Sequence, residues 1–225
     1  MELTILMPCL NEAKTIGFCI GEAQTYLKAC GCTGEVLISD NGSTDDSVGV
    51  AQSLGARVIR CEEKGYGHAL RAGLAHAKGD CIIMGDCDQS YDFAAIGEMH
   101  RLLREEADMV IGNRFAAPPD PKAISFSHRL GVAFLSWTAR ARFGCDVKDF
   151  HCGLRGVRRD ALSRMRFECG GMEFATEMIA EACRTGLVIA QTPVVLRPDG
   201  REGPSHLRTV RDGLRHLGFI LRRKK

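Results

Sequence analysis

Apolar residues in the first half of the chain gather into short runs, at 3–7, 36–39, 57–60, 81–85 and 109–112. Between them lie stretches of helical character, roughly 11–30, 45–54, 66–78 and 92–106. Asp45 stands where the second of these needs an N-cap, and Gly55 and Gly79 mark the stops of the second and third. Continuous apolar strands separated by helices predict a mostly parallel sheet covered on both faces, an α/β fold. In such sheets ligands bind beyond the carboxyl ends of the strands. The polar clusters fall there: Asn11-Glu12 after the first run, Asp40-Asn41-Gly42-Ser43 after the second, and Asp86-Cys87-Asp88 after the fourth.

The alternation fades after residue 115. A Pro-rich loop occupies 116–123, and 124–143 reads as a helix that holds the single tryptophan, Trp137. An irregular segment at 149–157, a helix near 172–185, an apolar run at 187–196 and a Gly/Pro loop at 198–204 follow. From 206 onward Leu207, Val210, Leu214, Leu217 and Leu221 recur at three- and four-residue steps, one stripe of a helix. Arg208, Arg211, Arg215, Arg222 and Arg223 take its other faces and its end. Such a helix fits an anionic membrane surface. It equally fits a terminal helix that docks its stripe on the core, with arginines near its negative dipole end. The chain divides as 1–205, the main domain, and 206–225, this basic amphipathic helix, which belongs to the same domain or lies on a membrane.

Composition narrows the classes. The chain has 225 residues, 45% of them hydrophobic and 26% charged, enough for one well-filled core. A net charge of +2 gives no global field for nucleic acid. The start reaches Glu12 without a basic n-region, and no apolar run approaches the roughly 20 residues that span a bilayer. Eleven cysteines lie mostly in apolar runs, with Cys30 and Cys32 alone as a CxC, and no repeated CxxC indicates zinc. These features predict a reduced, cytoplasmic protein.

The string GDCDQSYD at 85–92 carries the clearest chemistry. In an extended segment residues two apart project to one side, so Asp86 and Asp88 can address one cation. Hard carboxylate oxygens suit Mg²⁺ or Mn²⁺, and such an ion offsets charge on a departing diphosphate. A surface turn or N-cap is the plain alternative. An EF-hand is excluded, because its sixth and twelfth positions fall on Tyr91 and Gly97. GYGHAL at 65–70 lacks the third glycine of a dinucleotide fingerprint. Gly65 and Gly67 instead let the backbone come close to something while starting a helix. His68, His151 and His206 have no metal spacing and read as local hydrogen-bonders. Met172, Met178 and Ile179, beside Glu173 and Glu177, read as core.

Taken in order, MPCLNEAKTI, SDNGSTDDS, GYGHALRAGLAHAKGDCIIMGDCDQSYD, GNRF and DFHCGLRGVRRDAL resemble family 2 glycosyltransferases of GT-A fold. Within them the chain is most similar to bacterial polyprenyl-phosphate (dolichyl-phosphate) glucosyl- and mannosyltransferases. The resemblance implies inverting transfer of a hexose from a UDP- or GDP-sugar to a polyprenyl phosphate, or to a soluble hydroxyl acceptor. It implies nucleotide contacts at Pro8, Asn11, Glu12, Asp40, Asn41, Gly65 and Asp86, with Asn41 where the family has a second acid. Asp86 and Asp88 match the metal motif. Asp149 matches an acid near the acceptor, a general base for a hydroxyl acceptor and a positioning group for a phosphate. Arg114, Arg129 and Arg201 resemble arginines that receive phosphate, for which a guanidinium is well shaped. Nucleotidyltransfer would require a Gly- and Arg/Lys-rich loop after the first strand, where this chain has PCLNEAKTI. A non-catalytic membrane-associated module would be expected to lack the acid pair.

Overall fold

The first apolar run forms β1 (Leu3–Cys9), in which Leu3, Thr4, Ile5, Leu6 and Met7 all have no exposed surface. Neighbouring residues of a strand face opposite ways, so both faces of the sheet are covered at this strand, as the apolar pattern predicts. The computed structural model describes residues 1–117, 123, 126–201 and 208–222. Among them β1 is joined by β2 (Gly34–Asp40), β3 (Arg57–Arg60), β4 (Cys81–Met84), β5 (Met109–Asn113), β6 (Arg155–Arg158) and β7 (Ile189–Pro193). Their order is β3-β2-β1-β4-β6-β5-β7. All pairs are parallel except those of β6, which runs antiparallel to β4 and β5.

The connecting helices are α1 (Ile16–Cys30), α2 (Ser47–Ser53), α3 (Tyr66–His76), α4 (Gly97–Glu105), α5 (Phe126–Phe143), α6 (Arg159–Leu162), α7 (Phe174–Arg184) and α8 (Thr209–Arg222). Gly55 ends the second at φ 77°, as expected. Two local expectations change. The N-cap position of α2 is Asp46, while Asp45 reaches forward to the Ser47 amide and back to the amide of Ala13. The helix α3 stops at His76, before Gly79, and Gly79 instead lets the chain pass β1: a Cβ there would lie 2.3 Å from the Thr4 nitrogen. Cys30 and Cys32 are joined as a disulfide, contrary to the expectation of reduced cysteines throughout, and none of the other nine is disulfide-bonded.

β6 brings a buried arginine into the sheet. Arg155 is 2% exposed and donates to the carbonyls of Cys152 and Ala175, tying the strand to the loop before it and to α7. Met178 and Ile179 are fully buried, as read from the sequence, and Glu177 beside them accepts from the amides of Glu168 and Cys169.

The C-terminal helix departs from one of its two expected arrangements. α8 lies against α5 and α7 through Asp212, His216 and Ile220, all buried. Most of the apolar stripe faces away: Val210 is 76% exposed, Leu214 64% and Leu221 65%, while Leu217 is half-buried. Leu207, His206, Arg223, most of the 116–123 loop and part of 198–204 lie outside the described residues. No helix of the described residues is long and apolar enough to cross a membrane.

Candidate functional site

Parallel register sets the three polar clusters side by side. Cys9 pairs with Asp40 at the ends of β1 and β2, and Leu6 pairs with Met84 at the end of β4. Beyond β4 the Cys87 thiol donates to the carbonyl of Pro8 at 3.2 Å. Asn11, at φ 56°, accepts from the Thr44 amide at 2.7 Å and donates its own amide to Ser43. Asp40 accepts from the amides of Gly42 and Ser43, each at 3.1 Å. Asn41 donates to the Glu63 carbonyl and accepts from the Gly65 amide, both at 2.8 Å. Asn11, Asp40 and Asn41 therefore fix the shape of the loops beyond β1 and β2. Gly65 adopts φ 140°, and a Cβ there would sit 2.2 Å from the Gly170 carbonyl oxygen. The close approach read from the two glycines is thus to the chain's own 169–171 segment, which also receives the His68 amide.

The acidic centre lies at these strand ends. Asp88 is 6% exposed, accepts from the Ser90 amide and meets Arg201 Nη2 at 2.8 Å. Arg201 Nη1 meets Glu12 at 3.1 Å, and Glu12 also accepts from the Thr15 hydroxyl. Tyr66 lies beside Asp86, and its hydroxyl favours the Asp86 carboxylate. Burial pushes the Asp86 carboxyl up to about 6, and the neighbouring Asp88 charge pushes the same way. Burial likewise lifts Glu12 to about 7, against the pull of Arg201. Asp86, Asp88 and Glu12 crowd their negative charges together, Arg201 is shared with Asp199 as well, and a divalent cation would relieve the repulsion. The donor set fits Mg²⁺ or Mn²⁺: hard oxygens two residues apart, with a guanidinium now supplying positive charge to Asp88. Gly153 closes the back of this centre, since a Cβ there would lie 2.6 Å from Asp86 Oδ2.

The second half supplies a separate cluster. Asp149 is fully buried and accepts four hydrogen bonds: from Arg114 Nε at 2.6 Å, Arg114 Nη2 at 2.9 Å, the Arg114 amide at 3.3 Å and the His151 amide at 3.2 Å. Four is about the acceptor capacity of a carboxylate, so Asp149 holds Arg114 and has no lone pair left to take a proton. Burial alone would lower the Arg114 pKa, and the Asp149 contacts outweigh it and raise that pKa. The three arginines divide into two places. Arg114 sits on Asp149, Arg129 lies 5.5 Å over the Phe115 ring, and Arg201 is at the acidic centre. His151 and His216 meet edge to face at 4.4 Å, and the Thr176 hydroxyl lies 2.8 Å from His216 Nδ1.

Sequence reasoning did not single out Tyr66, Gly153 or His216. Tyr66 stands between the two marked glycines and Gly153 inside the DFHCG string, so both carried a local signal. His216 shows none, because its surroundings come from α7 and the 149–153 loop.

Residues 4–166 match the model of glycosyl transferase family 2. The chain is similar to the low-salt glycan biosynthesis hexosyltransferase Agl6 of Haloferax volcanii, 37% identical over 97% of this chain and 53% of that protein. The chain thus spans about half the length of that relative. A dolichyl-phosphate hexose transferase of the same organism is 26% identical over 87% of this chain and 83% of its own length. Among solved structures, glucosyl-3-phosphoglycerate synthase from Mycobacterium tuberculosis is 26% identical and superposes with a TM-score of 0.68. That match covers 98% of this chain and 76% of the synthase, whose crystal contains Mn²⁺, UDP and glucosyl-3-phosphoglycerate.

Proposed function

The chain belongs to glycosyl transferase family 2 and has its GT-A fold, and from that premise we propose an inverting, cation-dependent hexosyltransferase. Its donor is a UDP- or GDP-sugar and its acceptor a polyprenyl phosphate at the cytoplasmic face of a membrane. The observation that carries the donor side is the acidic centre of Asp86, Asp88 and Glu12 at adjoining strand ends, bridged by Arg201. Asp86 and Asp88 would hold Mg²⁺ or Mn²⁺, whose charge stabilises the departing nucleoside diphosphate when it is bound. The rigid loops at Asn11, Asp40, Asn41 and Gly65, with Pro8, form the nucleotide rim. Arg201 stands beside the metal acids, where a diphosphate needs a second positive group.

For the acceptor, a phosphate monoester is already anionic and needs no base. That agrees with Asp149, whose acceptor positions are filled, acting as a positioning residue that orients Arg114 toward the acceptor anion, with Arg129 near the same loop. The dolichyl-phosphate relative supports a lipid acceptor. A soluble acceptor is the second reading, favoured by the synthase, which binds glucosyl-3-phosphoglycerate.

The test is a panel of UDP- and GDP-sugars with Mn²⁺, each assayed with a short-chain polyprenyl phosphate and with soluble phosphate and hydroxyl acceptors. Transfer to the lipid phosphate is expected, and Asp88→Asn should lower it by at least ~100-fold while leaving the circular dichroism spectrum unchanged. Full activity of that variant, or no donor bound, overturns the reading; transfer only to soluble acceptors overturns its lipid part.

A further inference from the structure

The exposed side of α5 carries no charge. Leu130, Phe134 and Trp137, spaced by four and three residues, are 62%, 56% and 59% exposed, and Gly131 and Ala141 complete the same face. Large apolar side chains in a row are rare on a free surface and mark a contact. The eighteen residues of α5 include no acid. Helical spacing sets Arg129 and Arg140 along one border of the face and Arg142 along the other. α8, packed beside α5, repeats the pattern. Its exposed Val210, Leu214 and Leu221 are bordered by Arg211 and Arg222, and by Arg215, which is paired with Glu173 at 2.7 Å. Asp212, the sole acid of α8, is turned inward.

We propose that α5 and α8 together form a docking face for an anionic phospholipid bilayer, with Leu130, Phe134 and Trp137 entering the acyl boundary and the arginines meeting headgroup phosphates. The partner follows from the charge. Both borders of the α5 face are positive, and the α8 border is positive too. A two-fold contact with a second copy would bring arginine against arginine, whereas an anionic plane neutralises the border's net positive charge, which the pairing of Arg215 with Glu173 reduces but does not remove. A shallow cavity of about 340 Å³ opens along the Arg129–Arg140 border, floored by Phe115, Ala116 and Ala133 and rimmed by Arg140 and Lys148. Asp146 accepts from Lys148 and lies 4.0 Å from Arg140, so the rim keeps one net positive charge. Arg129 stacks on Phe115, next to Arg114, so the same border adjoins the cluster assigned to the acceptor. Docking through α5 would present that cluster at headgroup depth. This deepens the lipid-acceptor reading, but the docking face itself stands on surface chemistry alone.

Trp137 is the only tryptophan of the chain and so reports on this face directly. Its emission is to be followed as the whole chain is titrated with phosphatidylcholine vesicles with and without phosphatidylglycerol, together with vesicle flotation. A blue shift and flotation with anionic vesicles, and quenching by lipids brominated on their acyl chains, are expected. The double variant Leu130→Glu/Phe134→Glu should partition at least ~10-fold more weakly at an unchanged melting temperature. No shift with anionic vesicles overturns the proposal, as does equal binding without phosphatidylglycerol. A shift that follows protein concentration without lipid assigns the face to a second copy and also overturns it. Donor binding measured in lipid-free buffer separates these results from failure of the glycosyltransferase reading.

Discussion

Asp149 shows how a carboxylate's surroundings decide its role. A general base needs an open lone pair within reach of a hydroxyl. Here both oxygens are engaged by Arg114 and by the His151 amide. Removing the carboxylate leaves a buried guanidinium unpaired, at a cost of about 3–5 kcal/mol. Asp149→Ala should therefore lower unfolding stability by that order in a denaturant titration. Its kinetic loss should appear in the acceptor KM, and the pH profile of kcat should keep its shape. A stable variant that loses only the acidic-limb ionisation of kcat would restore the role of base. Gly65 is a second residue whose identity is dictated on the spot, by a φ of 140° and the Gly170 carbonyl against it.

On the element scale, α8 is amphipathic in an unusual sense, because its apolar stripe is the exposed one. What docks it is Ile220 together with Asp212 and His216. Truncation should then cost opposite amounts to those a hydropathy plot suggests. Leu214→Ser is expected to stay within ~0.5 kcal/mol of the parent, and Ile220→Ala to lose about 2–4 kcal/mol, both measured by chemical denaturation. Acid should weaken the same docking. Burial lowers the His216 pKa to about 4, against the pull of Glu173 and Asp212 and with small contributions from Arg155 and Arg215. A histidine with a depressed folded pKa stabilises above its unfolded value near 6.5 and loses that contribution as pH falls toward 4. The melting temperature should fall between pH 6.5 and 4, and His216→Gln, which keeps a polar group for Thr176, should reduce that slope.

At the scale of the whole molecule, one sheet gathers the two chemistries. β6 runs against its neighbours and joins the first half to the Asp149 loop, so the acidic centre and the Asp149–Arg114 pair share one frame. The acidic centre couples that frame to pH and cation. Glu12 and Asp86 have raised folded pKa values, about 7 and about 6. Each favours the cation-free fold below its unfolded value and loses that contribution as pH rises through the folded one, ~1.4 kcal/mol for each tenfold difference in proton affinity between the two states. Cation binding needs the charged forms, so the sign reverses. Mn²⁺ with UDP should raise the melting temperature strongly at pH 7.5 and weakly at pH 5.5, as scanning calorimetry would show. Saturation at about 100 Kd corresponds to ~2.7 kcal/mol. An equal rise at both values would place the cation away from these acids.

Much of this was legible in the amino-acid order, because its causes are local. Strand and helix positions follow from apolar spacing, and the polar strand ends follow from where those runs stop. The expected pairing of Asp86 with Asp88 rests on the two-residue repeat of an extended chain, whereas both lie past the end of β4, with Asp88 in a bend. These interactions act over a few residues, so the sequence alone determined the parallel α/β core and the acidic centre's members. Tertiary structure decided what depends on partners far along the chain. It inserted β6 antiparallel between β4 and β5, saturated Asp149 with Arg114, and drew Arg201 onto Asp88. It also turned Val210, Leu214 and Leu221 of α8 outward, since a stripe has a direction on its own helix but no knowledge of which neighbour will cover it. Burial and hydrogen-bond partners are properties of the packed molecule, and only packing could assign them.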